Sequence, residues 1–402
     1  MVRETEWLVI AGGFDGYLSP CGCVKPMTGG IRRMSDAIQR LRRRGAVTFV
    51  QSGGIVLQEG RQDVIKLETA SEALRQMGVH AIQLTDRELR LGVGVLASAS
   101  RLSGDRLLLS SGRAVDDVPI RDTVRSGSFL IGAWSPLSST SVQVAGGRMP
   151  TPVEVARRIV DEATPRSLVP VLLFEGREEE ARQVAREVPE LGVVVYRSGS
   201  NSISGPAPRE GSTQIVTGGE KGKALLILPW QRSARAWGRL EAQLLSPEFR
   251  DEPGVQRIYA SYQRRVAEEN LLDRVPRAPS EAFAGTSACM SCHAQAHQVW
   301  SESRHARALQ TLEKDGSDPD PDCTGCHVVA LDRKGGFQSR AKTPDLANVG
   351  CESCHGPAAK HAQDPEKNPL PKVGESACTS CHTPNHSPNF DYSTAWPKIV
   401  HK

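Results

Sequence analysis

The sequence predicts two unlike parts: an α/β domain over residues 1–248 and a small, mostly α and irregular domain over residues 281–402. A helical connector over residues 249–280 joins them. Three observations carry this reading. Up to about Gln243, short apolar runs alternate with amphipathic helical patterns, which argues a largely buried sheet. Val255–Leu272 keeps helical periodicity through Ile258, Tyr259, Tyr262 and Val266, until Arg274-Val-Pro-Arg-Ala-Pro279 breaks it. From near Phe283 the chain is rich in Gly, Pro and Asp and poor in large apolar side chains, too little for a core of its own.

Taken in order, the apolar runs Trp7–Ala11, Val47–Gln51, Ala81–Leu84, Phe129–Ala133, Leu168–Phe174, Val193–Tyr196, Thr213–Val216 and Ala224–Leu228 read as strands. Ile31–Arg43, Val64–Met77, Pro152–Glu162 and Glu178–Val188 place apolar residues three and four apart and read as helices. The later strands follow one another without helices, so part of the sheet is expected to be antiparallel. Arg42-Arg43-Arg44 falls at a helix end, where positive charge is favourable.

The net charge of +4 is too small to point to nucleic acid. Residues 281–402 hold 12 Lys+Arg against 14 Asp+Glu, a net −2, which leaves +6 for the first 280. No stretch approaches the roughly 20 apolar residues that span a bilayer. MVRETEWLVIAGG is acidic early with a short apolar run and does not read as a signal peptide, so the chain is expected to be a trimmed form or to have a start placed too far downstream.

The pentapeptide Cys-x-x-Cys-His occurs four times: Cys289–His293, Cys323–His327, Cys351–His355 and Cys378–His382. These copies use eight of the ten cysteines. In this spacing two thiols add to the vinyl groups of one haem and the histidine supplies the proximal nitrogen to its iron. Paired Cys-x-x-Cys units would suit zinc, but an all-thiolate zinc site has no use for a histidine after every second cysteine. Disulfide redox motifs explain the trailing histidines no better. The expected cofactors are four c-type haems, attached through Cys289, Cys292, Cys323, Cys326, Cys351, Cys354, Cys378 and Cys381. His293, His327, His355 and His382 are the proximal ligands. Buried porphyrins then replace the missing core.

The only methionine after residue 149 is Met290, inside the first motif, so second axial ligands must be histidine and potentials low. Five histidines remain: His297, His305, His361, His386 and His401. A distal ligand must reach around the macrocycle, so His297 and His386, four residues past their own motifs, do not close their own haems. His361 is expected to cross to a neighbouring haem. His305, His361 and His401 are the leading candidates.

The stretches FAGTSACMSCHAQAHQVWSESRHARALQTL, CTGCH, VGCESCHGPAAKH, CTSCH and TPNHSPNFDYSTAWPKIVH resemble the tetrahaem cytochrome c-552/c-554 family over residues 283–401. The resemblance implies distal roles for His305, His361 and His401. That leaves three distal ligands for four irons and an expected five-coordinate iron at the second motif.

Residues 6–230 resemble the metallophosphoesterase domain of 5′-nucleotidases, which implies a layered sandwich. The carrying stretches are LVIAGGFDGYLSPCGC, Gly29–Arg33, TFVQSGGIV and Met77–Ala81 leading to LTDREL. The family's metal-binding positions correspond here to Gly13 and Asp15, Gly53-Gly54, Thr85-Asp86-Arg87-Glu88, Phe174-Glu175-Gly176 and Ser198-Gly199-Ser200. A two-metal clamp needs carboxylates and neutral imidazoles to hold two metals about 3.5–4 Å apart. The only histidine before residue 293 is His80, ahead of a core strand. The expectation is a phosphoesterase fold without catalysis, with an oxygen-only cation site of Asp15, Asp86 and Glu88 as the minor alternative. Cys21 and Cys23 receive no role; a bond between them across one residue would be strained.

These features favour an electron carrier over an enzyme, with redox proteins as partners and no nucleic acid. The N-terminal domain is expected to dock a partner, through which the chain would meet a membrane, or a second copy of the chain. The alternatives are a haem oxidoreductase acting on a small nitrogen or oxygen species at an open iron, and a nucleotide or phosphoester hydrolase. Haem attachment places the protein in the periplasm or at the cell surface.

Overall fold

The computed structural model describes residues 4–20, 27–111, 118–144, 147, 149–197, 207–384, 386–387 and 389–401. Cys21, Cys23 and Ser198-Gly199-Ser200, singled out above, lie outside the described residues. The chain divides into two compact units between Tyr262 and Gln263.

The first unit runs β1 (Thr5–Ala11), α1 (Ile31–Arg44), β2 (Ala46–Gln51), α2 (Arg61–Gln76), β3 (Ala81–Gln83), α3 (Asp86–Arg90), α4 (Val93–Ser103), β4 (Leu107–Leu108), β5 (Thr123–Ser126), β6 (Phe129–Trp134), α5 (Ser139–Val144) and α6 (Pro152–Ala163). It continues through β7 (Val169–Phe174), α7 (Glu178–Glu187), β8 (Val193–Tyr196), β9 (Arg209–Glu210), β10 (Thr213–Thr217), β11 (Ala224–Gln231), β12 (Ala236–Trp237) and β13 (Glu241–Leu244). α8 (Pro253–Glu268) follows.

Two sheets form. The first is ordered β12-β11-β1-β2-β3-β4, with β13 also on β11; the second is β5-β6-β7-β8-β10-β9. β1 to β4 are mutually parallel, and β11 is antiparallel to β1, with Val9 opposite Ile227. In the second sheet β6, β7, β8 and β10 are parallel, while the edge strands β5 and β9 are antiparallel.

The period of two along each strand sorts the side chains. Leu8, Ile10, Val50 and Leu226 of the first sheet share one core with Ile131, Val171, Leu173 and Val195 of the second. The two sheets therefore pack face to face. On the outer face of the second sheet Leu130, Leu172 and Val194 meet Val155 and Ile159 of α6 and Ala181 and Ala185 of α7. α1 and α4 pack on the first sheet at β2 and β4. The result is a helix–sheet–sheet–helix sandwich. Truncating the fully buried Phe129 to Ala is worth about 3–5 kcal/mol in such a core.

Local chemistry explains the helix ends. Pro152 follows Thr151, whose hydroxyl accepts from the Glu154 N–H, while the Glu154 carboxylate accepts from the Thr151 N–H. Arg42, at the end of α1, donates to the carbonyls of Met77 and Gly78 at the end of α2, where a cation meets the negative pole of that helix.

The second unit is built from short pieces: α9 (Thr286–Cys289), α10 (Ala294–Glu302), α11 (Ala308–Asp315), α12 (Pro321–Thr324), α13 (Glu352–His355), α14 (Ala359–Gln363), α15 (Glu375–Thr379) and α16 (Tyr392–Ala395). Its apolar core is small: Leu309, Val328, Val329, Leu331, Phe337, Leu346 and Ala347, flanked by Leu272, Val275 and Phe283. The segment around Arg274–Pro279 belongs to this unit, because Ala278 exchanges backbone bonds with Asp332 and Lys334.

Candidate haem-binding centre and strand-end cluster

Each Cys-x-x-Cys-His motif sits on a single helical turn. The N–H of the histidine returns to the carbonyl of the first cysteine in the first, third and fourth motifs: His293 to Cys289 at 2.9 Å, His355 to Cys351 at 3.0 Å, His382 to Cys378 at 2.9 Å. In the second the turn closes tighter, His327 N–H to Thr324 at 2.9 Å. Residues i, i+3 and i+4 share one side of such a turn, so both thiols and the imidazole can face one ligand.

The motifs also lie against one another. The Cys289 thiol hydrogen-bonds to Cys351, which brings the Cys351 thiol down to about 7, and a bond from Cys326 brings Cys381 down to about 6. Burial pushes Cys354 up to about 11, helped by Cys378 and Cys381 of the fourth motif.

Three of the four motif histidines face a second imidazole. His293 faces His361 with ring centroids 6.1 Å apart and planes 21° from parallel. His382 faces His305 at 6.2 Å, and His355 faces His401 at 5.8 Å. A metal–imidazole bond is about 2 Å long, so two such bonds plus two ring half-widths put centroids roughly 6 Å apart. The spacing fits an iron held between each pair. No imidazole faces His327 among the described residues.

Hydrogen bonds hold four of these rings by the nitrogen that an iron would not use. Nδ1 of His327 lies 2.7 Å from the Ala308 carbonyl, that of His361 3.0 Å from the Asn368 carbonyl, and that of His401 2.9 Å from the Ile399 carbonyl. His382 Nδ1 lies 3.0 Å from the Ser387 hydroxyl. An Nδ1–H donated to a carbonyl fixes the tautomer and leaves Nε2 as the ligand. Burial keeps His305, His355 and His382 below the usual imidazole pKa, and the neighbouring imidazoles add to this at His305 and His355. A neutral ring is the form that binds a metal.

His297 instead packs on Trp300 at 5.2 Å, and His386 Nδ1 lies 3.1 Å from the Thr383 hydroxyl. A cleft of about 630 Å³ is lined by Arg304, Arg307, Thr311 and Lys314 among others. Thr311 is 3.5 Å from Nδ1 of His327, so the cleft borders the back of that ring.

In the first unit the C-terminal ends of the strands converge on a different chemistry. The chain approaches itself closely here: a Cβ on Gly12 would lie 2.0 Å from the Gly218 carbonyl. Asp15, buried and in the left-handed region, accepts from Arg87 at 3.0 Å and from Arg197 at 2.6 Å. Arg197 also donates to Glu175 at 2.6 Å. The oxygen-only cation site expected of Asp15, Asp86 and Glu88 is not formed. Asp15 is taken by two guanidinium groups. Asp86 accepts from the Ser138 N–H at 2.7 Å; burial works to raise its pKa, but donors from Ser138 and Ser141, with Arg90, bring it below the ordinary value. Glu88 is fully buried and accepts from the N–H groups of Ile55, Val56 and Thr85 and from the Thr85 hydroxyl. No group of three or more metal-binding side chains comes together among the described residues.

Comparison with known proteins agrees with both halves. The family described as cytochrome c554 and c-prime matches residues 288–356. Residues 288–356, which hold the first three motifs, are cytochrome c554-like. Cytochrome c-554 of Nitrosomonas europaea is 34% identical over 25% of this chain and 57% of that relative, so the chain spans little more than half of its relative's length. The cytochrome c554-like region accordingly carries c-type haem chemistry.

The solved structures match at low identity. A 5′-nucleotidase precursor from Thermus thermophilus superposes with TM-score 0.54 at 17% identity, covering 78% of this chain and 68% of that one. A putative 5′-nucleotidase from Staphylococcus aureus gives 0.53 at 13%, covering 77% and 66%. The NAD nucleotidase of Haemophilus influenzae gives 0.52 at 12%, covering 71% of each. At these identities the likeness establishes the 5′-nucleotidase-like fold. No helix among the described residues is long and apolar enough to cross a membrane.

Proposed function

We propose that the protein is a tetrahaem electron carrier in which the 5′-nucleotidase-like unit serves as a docking platform rather than a hydrolase. The observation that carries this reading is the facing of imidazoles: His293 with His361, His355 with His401 and His382 with His305. Bis-imidazole iron exchanges one electron without gaining or losing a ligand, and imidazole rather than thioether ligation keeps its potential low. Contact between the cysteines of motifs one and three, and of motifs two and four, supports haems near enough to pass electrons from one to the next. Haem would supply the electron-accepting centre; the chain attaches it through the eight motif cysteines and orients its ligands. Such attachment is in keeping with the periplasm or the cell surface, and with a redox protein as partner.

The absence of a facing imidazole at His327, among the described residues, favours a second reading, in which that centre binds a small nitrogen or oxygen species. Intact mass of the full chain should show four added haems. Electron paramagnetic resonance of the oxidised protein should show three low-spin irons and one high-spin iron. Fewer than four haems would sink the tetrahaem reading, and four low-spin irons would sink the second.

A further inference from the structure

Glu352 is the second residue of the third motif, yet its side chain serves the first. It is 4% exposed. Oε1 accepts from the Ala284 N–H at 2.8 Å and from the Ala358 N–H at 2.7 Å, and Oε2 accepts from the Gly285 N–H at 2.8 Å. These donors sit at two meaningful places. Ala284 and Gly285 lead into α9, the turn that ends on Cys289 and delivers His293. Ala358 precedes α14, the helix that carries His361. One carboxylate therefore holds the approach to both imidazoles of the His293–His361 pair.

The surrounding backbone reinforces the same junction. The Ala359 N–H donates to the Ala282 carbonyl at 3.1 Å, and Lys360 pairs with Glu281 at 3.1 Å. Gly285 has φ +85, and a Cβ there would lie 2.6 Å from Cβ of Asp345, so the arm reaches Glu352 only because it ends in glycine. No other acceptor could replace Glu352 simply. An alanine leaves three N–H groups without this partner, those of Gly285 and Ala358 buried and that of Ala284 partly buried. A glutamine keeps Oε1 but turns an NH2 donor toward the Gly285 N–H. An aspartate falls short by one methylene.

We propose that Glu352 is a positioning residue that sets the facing of His293 and His361 across the first haem from within the third motif. The inference rests on the axial pairing proposed above. Its test uses the full, haem-loaded chain and first assigns the low-spin resonance of the first-motif iron as the one lost in His361→Ala. Glu352→Ala, with four haems still present by mass, should lose that resonance and give the reduced protein a carbon-monoxide-binding haem beyond the one at His327. Glu352→Gln should shift the same resonance without abolishing it. The resonance that disappears in His305→Ala should stay in place in both variants.

An unchanged first-motif resonance in Glu352→Ala overturns the proposal. So does loss of all four haems in both variants, which would make Glu352 a general folding residue. If His361→Ala itself removes no low-spin resonance, the axial assignment fails, and that outcome is distinct from either result at Glu352.

Discussion

His293 and His361 are 68 positions apart in the chain, yet their imidazoles face one another across 6.1 Å, with planes 21° from parallel. The crossing joins the first motif to a histidine that follows the third. It predicts that removing a distal imidazole opens one identifiable iron. His361→Ala, His305→Ala and His401→Ala should each convert one low-spin iron to high-spin, at the first, fourth and third motifs respectively. His297→Ala and His386→Ala should leave the count unchanged, because those rings sit on Trp300 and against Thr383. Paramagnetic resonance of each variant measures this directly.

His80 provides a pH prediction. Its Nδ1 lies 3.0 Å from the Phe49 N–H, from which it accepts. Burial lowers its pKa most; the Phe49 backbone and Glu6 act to raise it, while Arg42 and Arg106 lower it further. A histidine whose folded pKa is depressed favours the unfolded state once protonated. The stability it contributes is complete above the ordinary imidazole value of about 6.5 and is lost as pH falls through it toward the folded pKa. The denaturant midpoint should therefore drop between about pH 7.5 and 5. His80→Asn, whose Oδ1 can still accept from Phe49, should show a flatter profile; an equal drop in both proteins would remove His80 as the cause.

The sequence was most legible where one chemical rule dominates. Strand positions such as Leu8, Val9 and Ile10 declare themselves by apolar character, and the four motifs by a spacing that serves little else. The histidine supply also limited the distal ligands to a few imidazoles, because the one methionine after residue 149 is held inside the first motif. Short elements were not legible. β4 and β12 have two residues each, too few to carry a period, and α4 mixes Gly94 with three serines, which hides its buried Leu96 and Ala99. The pairing of histidines was equally hidden, since it depends on contacts between distant turns. At the strand ends, the sequence showed which ligands were missing but not what occupies their place. Arg197 carries no signal in the sequence and Arg87 stands out only by its place in Thr85-Asp86-Arg87-Glu88, until the fold aims both at Asp15.

Glu88 predicts a stability effect without a catalytic one. Its carboxylate is fully buried, and two donors reach each oxygen: Ile55 and Val56 on Oε1, the Thr85 N–H and hydroxyl on Oε2. Burial alone drives its pKa up, and the donors oppose that shift. Glu88→Gln keeps one acceptor but sets an NH2 group against the Thr85 donors. The expected cost is about 1–3 kcal/mol, the range for a buried polar group left unsatisfied. Thermal unfolding of the haem-loaded chain should record a lower midpoint, with the haem spin states unchanged.

The Asp15–Arg197–Glu175 chain predicts how the strand-end cluster responds to metals. Where a two-metal hydrolase concentrates negative charge to hold cations, this cluster is already neutralised by Arg87 and Arg197. Divalent cations must displace guanidinium groups hydrogen-bonded at 2.6–3.0 Å before they reach Asp15. Added manganese should therefore produce no turnover of a phosphate ester, and Asp86→Ala should make no difference, because Asp86 is spent on Ser138. Arg197→Ala should leave Asp15 and Glu175 short of donors and cost about 1–3 kcal/mol, discounted toward the lower end because Arg197 is partly exposed. Manganese-dependent turnover in the unaltered protein, abolished by Asp86→Ala, would overturn the account of this cluster as charge-neutralised.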